Sequence, residues 1–157
     1  MDIVTRRATV SDLAVIRELN RLLFRESHAR KHDDMLDLAW PDDQRGESYY
    51  RKALSDPAKA VFLAFYAGKP VGYLIGTSVH RFDYRKSRVG ELENMLVLSA
   101  FRRRGAGTGL VSVFTGWLKN KGVERVYVSV YAKNLKASGF YRSLGFKPID
   151  VGLEKQI

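Results

Sequence analysis

The spacing of apolar residues alternates along the chain between a strand-like and a helix-like period. Residues 3–9 predict a first strand. A first helix follows, with Ser11 as its N-cap and an end near Glu26, because apolar residues then recur at helical spacing. These apolar residues are Leu13, Ile16, Leu19 and Leu23. Residues 27–58 are less regular, with turn formers on both sides of a short predicted helix at residues 47–54.

The middle of the chain predicts a β-hairpin, a further strand and an amphipathic helix. Two β-rich runs flank the turn at residues 67–70 and predict strands two and three. Residues 89–98 predict strand four. From Gly105 to Lys121 the apolar residues return to helical spacing, and Gly122 is a suitable helix end.

The remaining residues predict one strand, one helix and a β-rich C-terminal segment. Residues 124–131 alternate valines with tyrosine and serine, which predicts strand five. Asn134 is a suitable N-cap for a fourth helix that stops at Gly145. Residues 146–157 predict one or two closing strands.

Length and composition favour a single α/β domain over residues 1–157. The chain is 45% hydrophobic and 11% aromatic, which is enough for one substantial core. It has no cysteine, which excludes disulfides, a thiolate zinc site and a cysteine nucleophile, and suits the reducing cytoplasm. The N-terminus lacks an apolar signal-peptide core, and no run approaches the roughly 18 apolar residues of a membrane span. We therefore expect a cytoplasmic protein that does not enter the membrane.

The net charge restricts the class of partner without selecting one. It is +10, from 27 Lys and Arg against 17 Asp and Glu. A charge of this sign favours nucleic acid, a membrane surface or a phosphate-rich cofactor. His28 and His32 lie four positions apart but lack the rest of a ligand set, so no metal site is expected.

Residues 99–110, SAFRRRGAGTGL, place three arginines before three glycines at a predicted strand-to-helix junction. A helix N-terminus offers unpaired N–H groups and a partial positive charge, and glycines let an anion approach closely, so the expected guest is a phosphate. A Walker loop is excluded because no Gly-Lys-Ser/Thr follows the glycines. A dinucleotide fingerprint from Gly105 is excluded because Leu110 stands where glycine or alanine is needed.

Two motifs carry a resemblance to a known family. The loop fits R-x-x-G-x-G at Arg102, Gly105 and Gly107, and resembles the acetyl-CoA signature of the GNAT family of N-acetyltransferases. About thirty residues later, residues 134–146 resemble the family's second signature. Its matching positions are Asn134, Ala137, Phe140, Tyr141, Leu144, Gly145 and Phe146. Taken alone, the loop could instead be an arginine-rich turn followed by a helix whose first turn contains flexible glycines, with no cofactor role. This chain departs from the family at three loop positions. Ser99 stands where the family often has Pro, Phe101 where it has Tyr, and Arg103 where it has Gly.

The resemblance implies both a fold and a cosubstrate. The fold is α/β, a mixed, mostly antiparallel central sheet flanked by about four helices and splayed between strands four and five. Acetyl-CoA is the implied cosubstrate, with no metal. The loop amides would hold its pyrophosphate, the backbone near Met95 and Val97 would pair with its pantetheine arm, and Asn134 would also reach it. The implied loop residues are Arg102, Arg103, Arg104, Gly105, Ala106, Gly107 and Thr108.

The resemblance also implies catalytic roles. Acetyl transfer requires a neutral amine, yet an alkylamine with a pKa of about 10.4 is only about 0.1% neutral near pH 7.4. Glu91 and Glu93 alternate on strand four where the family places its base. We prefer Glu93, because Glu91 also fits a surface residue at the strand's start. Tyr141 corresponds to the acid that protonates the CoA thiolate, with a core aromatic as the alternative, and the Met95 amide is a candidate oxyanion donor.

The expected function is transfer of acetyl from acetyl-CoA to a primary amine by direct attack in a ternary complex. An acyl-CoA-binding sensor without turnover and a basic nucleic-acid-binding protein are the alternatives. Glu93 and Tyr141 argue against the sensor, and the lack of a nucleic-acid motif argues against the other.

The acceptor is expected to be a small-molecule or peptide amine. An acidic stretch favours a cationic acceptor if it borders the cleft, the alternative being a solvated acidic loop. Its acids are Asp33, Asp34, Asp37, Asp42, Asp43 and Glu47. An exposed closing strand would permit a homodimer.

Overall fold

In the part of the chain that the structure describes, five strands form one sheet in which spatial order follows chain order. The computed structural model describes residues 2–79 and 81–157. Neighbouring strands from the first to the fourth are antiparallel, and the fifth joins the fourth in parallel. This confirms the predicted mixed, mostly antiparallel sheet. The strands are β1 (Ile3–Arg7), β2 (Lys59–Tyr66), β3 (Lys69–Thr77), β4 (Val89–Val97) and β5 (Arg125–Val128).

Within these described residues, four α-helices cover the two faces of the sheet. The first two pack on one face, where the largest buried side chains include Tyr50 and Tyr73. The third and fourth pack on the other face, around Phe114 and Leu110. The helices are α1 (Leu13–Ala29), α2 (Gln44–Ser55), α3 (Ala106–Asn120) and α4 (Leu135–Ser143). None of the helices in residues 2–79 and 81–157 combines the length and apolar character needed to cross a membrane.

The hairpin and the helix boundaries of the C-terminal half agree with the sequence. The β2–β3 turn at Ala67 and Gly68 has positive φ at both residues, 49° and 75°. Gly122 follows α3 with a φ of 70°, which glycine adopts without strain. Asn134 caps α4 by accepting a hydrogen bond from the amide of Ala137 at 3.1 Å. Its predicted role as an N-cap is therefore confirmed.

The predicted N-cap at Ser11 is wrong. Val10–Asp12 forms a turn of 3₁₀ helix, and α1 begins only at Leu13 and continues past Glu26 to Ala29. The Asp12 carboxylate accepts a hydrogen bond from the Thr9 amide at 2.8 Å and is held by the Arg6 guanidinium. These bonds fix the tight turn, so Ser11 lies inside it.

The helix predicted at residues 47–54 starts earlier than expected. Asp43 accepts hydrogen bonds from the amides of Arg45 and Gly46, and this cap lets α2 begin at Gln44. A capping carboxylate satisfies backbone donors that would otherwise be unpaired, which explains the extra N-terminal turn.

The predicted closing strands are not formed, and β5 ends at Val128 rather than at residue 131. Residues 146–157 carry no regular secondary structure. The alternating apolar side chains of Ile149, Val151 and Leu153 are exposed rather than packed against the sheet. A strand needs a hydrogen-bonded neighbour, and the pattern alone does not supply one.

The predicted splay between strands four and five is confirmed. β4 and β5 pair in parallel from Val89 with Arg125 to Leu92 with Val128. β4 continues to Val97 after this pairing stops. On the side facing β5, the β4 edge is therefore open from Glu93 onward within the part of the chain that the structure describes.

Candidate active site

Glu93 occupies a β-bulge at the point where the splay begins. Asn94 pairs with Ile75 and Leu92 pairs with Gly76, so Glu93 is an extra residue with no partner on β3. A bulge redirects the side chain that it carries. A Cβ on Gly76 would lie 2.5 Å from the Glu91 carbonyl oxygen, so glycine lets the strands approach closely here.

The Glu93 carboxylate is held by two side chains from other elements. Lys59 Nζ donates to Glu93 Oε1 at 2.5 Å, and the Tyr49 hydroxyl donates to Oε2. Burial and the adjacent Glu93 raise the pKa of Tyr49 above its ordinary value, so the phenol stays protonated. The candidate base thus lies on the side of the sheet that packs against α2, and it is paired with the ammonium group of Lys59.

Glu91, the second candidate base, is also paired with a cation. Arg81 Nη1 donates to Glu91 Oε2 at 2.5 Å, and the same guanidinium lies 4.3 Å from the centroid of the Tyr127 ring. Neither Lys59 nor Arg81 was singled out from the sequence. Their partners lie 34 and 10 positions away, so no local spacing indicates the pairs.

A buried polar network follows Glu93 on the same strand. Tyr73 OH donates to Asn94 Oδ1 at 2.5 Å and accepts from Asn20 Nδ2 at 2.9 Å. Burial raises the pKa of Tyr73 to about 12, so its hydroxyl remains a donor. These bonds hold the side chain of Asn94, which follows the predicted base Glu93 and precedes Met95 in β4. An asparagine within the apolar face of α1 was the one sequence signal for it.

The glycine loop has the backbone geometry of an anion site. Arg103 and Gly105 have positive φ values of 61° and 87°. α3 begins at Ala106, and an early α3 bond runs from the Gly109 amide to the Gly105 carbonyl at 2.8 Å. The amides of the first helical turn, including those of Gly107 and Thr108, precede that bond and have no partner within the helix. They can therefore bind an anion.

The three loop arginines have different environments. Arg102 donates to the Val97 carbonyl at 2.8 Å and to Glu26 at 2.6 Å, so its guanidinium ties the loop to β4 and α1. Arg104 lies 4.8 Å from the centroid of the Tyr66 ring. Arg103 is exposed. Arg104 is exposed as well, so the guanidinium groups of Arg103 and Arg104 are both accessible to a phosphate.

The second sequence motif meets the glycine loop. A Cβ on Gly107 would lie 3.0 Å from Phe140 Cζ, so α3 and α4 touch at this point. The next residue, Tyr141, is buried, and burial raises its pKa above the ordinary value. Its phenol is therefore protonated and packs against Phe140 and Phe146.

A cleft of about 1120 Å³ lies between α3, β5, α4 and the C-terminal segment. Its lining includes Thr108, Tyr141 and Tyr131, so it unites the glycine loop with the predicted acid. It does not include Glu91 or Glu93. The two predicted bases are thus separate from this cleft, at the inner end of the splay.

The histidines do not form a metal site in the described part of the chain. The His32 ring lies 6.2 Å from the Tyr131 ring, and no cluster of three or more potential ligands occurs in residues 2–79 and 81–157.

Comparison with known proteins identifies relatives by sequence. An N-alpha-acetyltransferase of Sulfurisphaera tokodaii is 26% identical over 152 residues, which cover 93% of this chain and 81% of the relative. An uncharacterized N-acetyltransferase of Bacillus subtilis, YobR, is 43% identical over 60 residues. That match covers 38% of this chain and only 24% of YobR. A match to an uncharacterized N-acetyltransferase of Methanocaldococcus jannaschii covers 46% of that relative. The chain therefore matches less than half the length of YobR and of the M. jannaschii protein.

Comparison with solved structures supports the fold. The aminoglycoside acetyltransferase AAC(6')-Iy, in complex with a bisubstrate analogue of CoA and acetylneamine, superposes with a TM-score of 0.80. The two are 20% identical, and the match covers 100% of this chain and 99% of the other. At this identity the likeness concerns the fold. The family described as the acetyltransferase (GNAT) family matches residues 14–146 of the sequence. Since that match spans most of the chain and includes both motifs, the protein is a member of the GNAT acetyltransferase family.

Proposed function

We propose that this protein transfers the acetyl group of acetyl-CoA to a primary amine. The observation that carries the proposal is the contact of Gly107 with Phe140, which joins the anion-binding loop to the helix that bears the predicted acid, Tyr141. Met95 and Val97, on the open part of β4, pack against the same apolar cluster as Phe140. Family membership and relatives named as N-acetyltransferases support the same activity.

Acetyl-CoA fits the residues of the glycine loop and of the open edge of β4. The amides of residues 102–108 and the exposed Arg103 would hold the pyrophosphate. The open β4 edge near Met95 and Val97 would pair with the pantetheine arm. The Arg102 side chain already donates a hydrogen bond to the Val97 carbonyl. It would therefore fix the loop against β4 rather than contact phosphate. Bound there, acetyl-CoA supplies the thioester that the amine attacks.

The acceptor amine must lose protons during the reaction. Glu93 is the preferred proton acceptor because it lies at the bulge where the open edge of β4 begins, and Tyr49 fixes its orientation. The ion pair with Lys59 has to open, or be replaced by the acceptor's own ammonium, for this role. Glu91 is the alternative, and its guanidinium partner, Arg81, has to move in the same way.

Tyr141 is the proposed proton donor to the departing thiolate. Its raised pKa keeps it protonated at neutral pH, and it lines the same cleft as Thr108. Asn134, which caps α4, holds the start of the helix that carries it. The proposed reaction is a direct attack of the amine on the thioester in a ternary complex, with no covalent enzyme intermediate.

The acceptor is proposed to be a small-molecule or peptide amine. Solved structures of similar fold include an aminoglycoside acetyltransferase in complex with sisomicin, at a TM-score of 0.72. Relatives by sequence include N-alpha-acetyltransferases. Polyamine antibiotics and peptides with free N-termini are therefore the first acceptors to screen.

The test uses calorimetry with acetyl-CoA followed by a screen of amines for thiol release. Thr108 is exposed in the first turn of α3, so Thr108→Glu adds a negative charge beside the proposed pyrophosphate site. Gly116→Glu is the matched control, because a Cβ there meets no atom within 4 Å. We expect at least about tenfold weaker binding in Thr108→Glu and unchanged binding in the control.

If both variants bind acetyl-CoA as tightly as the wild type, the loop is not part of the acetyl-CoA site. Tight acetyl-CoA binding with no turnover across the amine panel would instead support the acyl-CoA-binding sensor. Steeply salt-dependent affinity for DNA or RNA would support the nucleic-acid-binding alternative.

A further inference from the structure

Lys59 already presents a primary amine to the predicted base. Lys59 is the first residue of β2, and its Nζ lies 2.5 Å from Glu93 Oε1 and 5.2 Å from the centroid of the Tyr49 ring. The side chains of Lys59 and Glu93 are each 19% exposed. A carboxylate and an aromatic face are the two groups that recognise an ammonium ion. The chain's own lysine therefore fills a small ammonium site.

This position coincides with the one that an acceptor amine has to reach. A base that takes a proton from the amine must lie within hydrogen-bonding distance of it, at about 2.6–3.2 Å. Lys59 satisfies that requirement toward Glu93 without any external acceptor. Among the lysines in the described part of the chain, Lys59 alone forms an ion pair with a carboxylate. The arrangement is thus specific to this lysine.

The open edge of β4 leads from the glycine loop to this site. Val97 is tied to the loop through Arg102, and the pairing of β4 with β5 stops at Leu92. Val97 and Glu93 lie four positions apart, which corresponds to about 13 Å at the rise of a strand. A ligand that extends along this edge from the loop therefore ends beside Glu93 and Lys59.

We propose that Lys59 is a site of self-acetylation, modified by the protein's own bound acetyl-CoA. The inference rests on the acetyl-transfer function proposed above. The Lys59 nitrogen forms a bond to the acetyl carbonyl carbon, and the bond from that carbon to the CoA sulfur breaks. The ammonium loses two protons, one passing to solvent through Glu93 and one balancing the thiolate that leaves as CoA–SH. The products are an acetylated lysine and CoA, and no other reactant is required.

Acetylation would change the site in a defined way. It removes the charge of Lys59 and with it the ion pair to Glu93. The Glu93 carboxylate then retains Tyr49 as its partner and becomes available to the ammonium of an external acceptor. Self-acetylation therefore converts the occupied site into an open one.

The test is mass spectrometry of the purified protein incubated with acetyl-CoA and no acceptor. We expect a gain of about 42 Da, with peptide mapping placing the acetyl group on Lys59 ahead of exposed lysines such as Lys69 and Lys119. The rate per molecule should not depend on protein concentration, because the reaction is intramolecular. Thr108→Glu should lose the modification of Lys59 and keep the slow chemical acetylation of exposed lysines. Gly116→Glu should behave as the wild type.

The outcomes separate this inference from the proposed function. Calorimetry that detects no acetyl-CoA binding would refute both. If acetyl-CoA binds and external amines are acetylated while Lys59 stays unmodified, the self-acetylation proposal alone is overturned. Acetylation of Lys59 at the same rate as the exposed lysines, or unchanged in the folded Thr108→Glu variant, also overturns it, since the modification is then chemical. A rate that rises with protein concentration overturns the intramolecular route.

Discussion

Gly107 on α3 and Phe140 on α4 are in van der Waals contact, with room for no side chain between them. A Cβ on Gly107 would lie 3.0 and 3.2 Å from two carbons of the Phe140 ring. Gly107 belongs to the loop motif and Phe140 to the second motif, about thirty residues later. The contact fixes the distance from the anion site to Tyr141, the residue after Phe140.

Gly107→Ala is expected to disturb this contact. Replacing a helical glycine by alanine normally stabilises a helix by about 1 kcal/mol. At Gly107 the new methyl group has to push the Phe140 ring away by a few tenths of an ångström, which offsets that gain. Gly116→Ala has open space and should show the full gain. Urea unfolding should place Gly107→Ala about 1 kcal/mol below Gly116→Ala, and equal gains would contradict the contact.

The choice between Glu93 and Glu91 is open to a pH profile. Glu93→Gln should lower turnover near pH 7 by about 100-fold, the range for losing a general base. Activity should partly recover as the pH rises, because the neutral fraction of an alkylamine grows about tenfold per pH unit. If Glu91→Gln shows this behaviour and Glu93→Gln does not, Glu91 is the base. Normal rates in both variants and in the double variant would point to another group.

Tyr141→Phe separates chemistry from binding. The hydroxyl forms no hydrogen bond with another described residue, so its loss should leave the packing against Phe140 and Phe146 intact. We expect a fall in kcat of about tenfold or more with acetyl-CoA affinity changed by less than about twofold. Steady-state kinetics and calorimetry check the two parts. A proportional loss of affinity and kcat would instead assign Tyr141 to binding.

The sequence predicted the elements with local signals and missed the contacts between distant elements. The hairpin at Ala67 and Gly68 and the cap at Asn134 depend on residues within a few positions, and both are confirmed. The pair of Lys59 with Glu93 joins two strands, so periodicity carries no trace of it. The prediction of closing strands was wrong, because the alternating residues 146–157 form a strand only where a neighbouring strand can hydrogen-bond to them.

The pair of Arg6 with Asp12 makes stability depend on pH. Hydrogen bonding to Arg6 lowers the pKa of Asp12 to about 2, below its ordinary value of 3.8. The native state therefore binds this proton less readily than the unfolded chain, so the stabilisation is present above about pH 4 and is lost as the pH falls toward 2. The Arg6 side chain is 47% exposed, so solvent screening limits the effect to about 1 kcal/mol.

Asp12→Asn tests this linkage while preserving a hydrogen-bond acceptor for the Thr9 amide. We expect the variant to be less stable than the wild type by about 1 kcal/mol near pH 7, with the difference disappearing near pH 2. Urea unfolding at several pH values measures it. A difference that stays constant down to that pH would show that the Arg6 charge is not its source.

The acidic stretch from Asp33 to Glu47 is largely neutralised by arginines. Asp42 pairs with Arg21, and Asp37 and Asp43 both pair with Arg45. Glu47 pairs with both Arg17 and Arg51. These pairs reduce the attraction that the stretch can exert on a cationic acceptor. Asp33 and Asp34 have no cationic partner among the described residues, so any preference for cations should depend on these two.

Asp33 also connects this stretch to the cleft. The Tyr131 hydroxyl donates to Asp33 Oδ2 at 3.0 Å, across 98 positions of sequence, and Tyr131 lines the cleft beside Tyr141. Burial and Asp33 raise the pKa of Tyr131 to about 12, so this bond persists at neutral pH. Of the two unneutralised acids, Asp33 therefore touches the lining of the cleft through its bond to Tyr131.

Joint replacement of Asp33 and Asp34 by asparagine should raise KM for a dicationic acceptor more than for a monoamine. We expect a difference of about threefold to tenfold at low ionic strength, shrinking as salt is added, because exposed charges are screened. Asp42→Asn is the matched control, since its carboxylate is already compensated by Arg21. Steady-state kinetics with paired mono- and dicationic acceptors measures both. Equal changes for the two acceptors, or an equal effect from Asp42→Asn, would mean that the acidic stretch is ordinary surface.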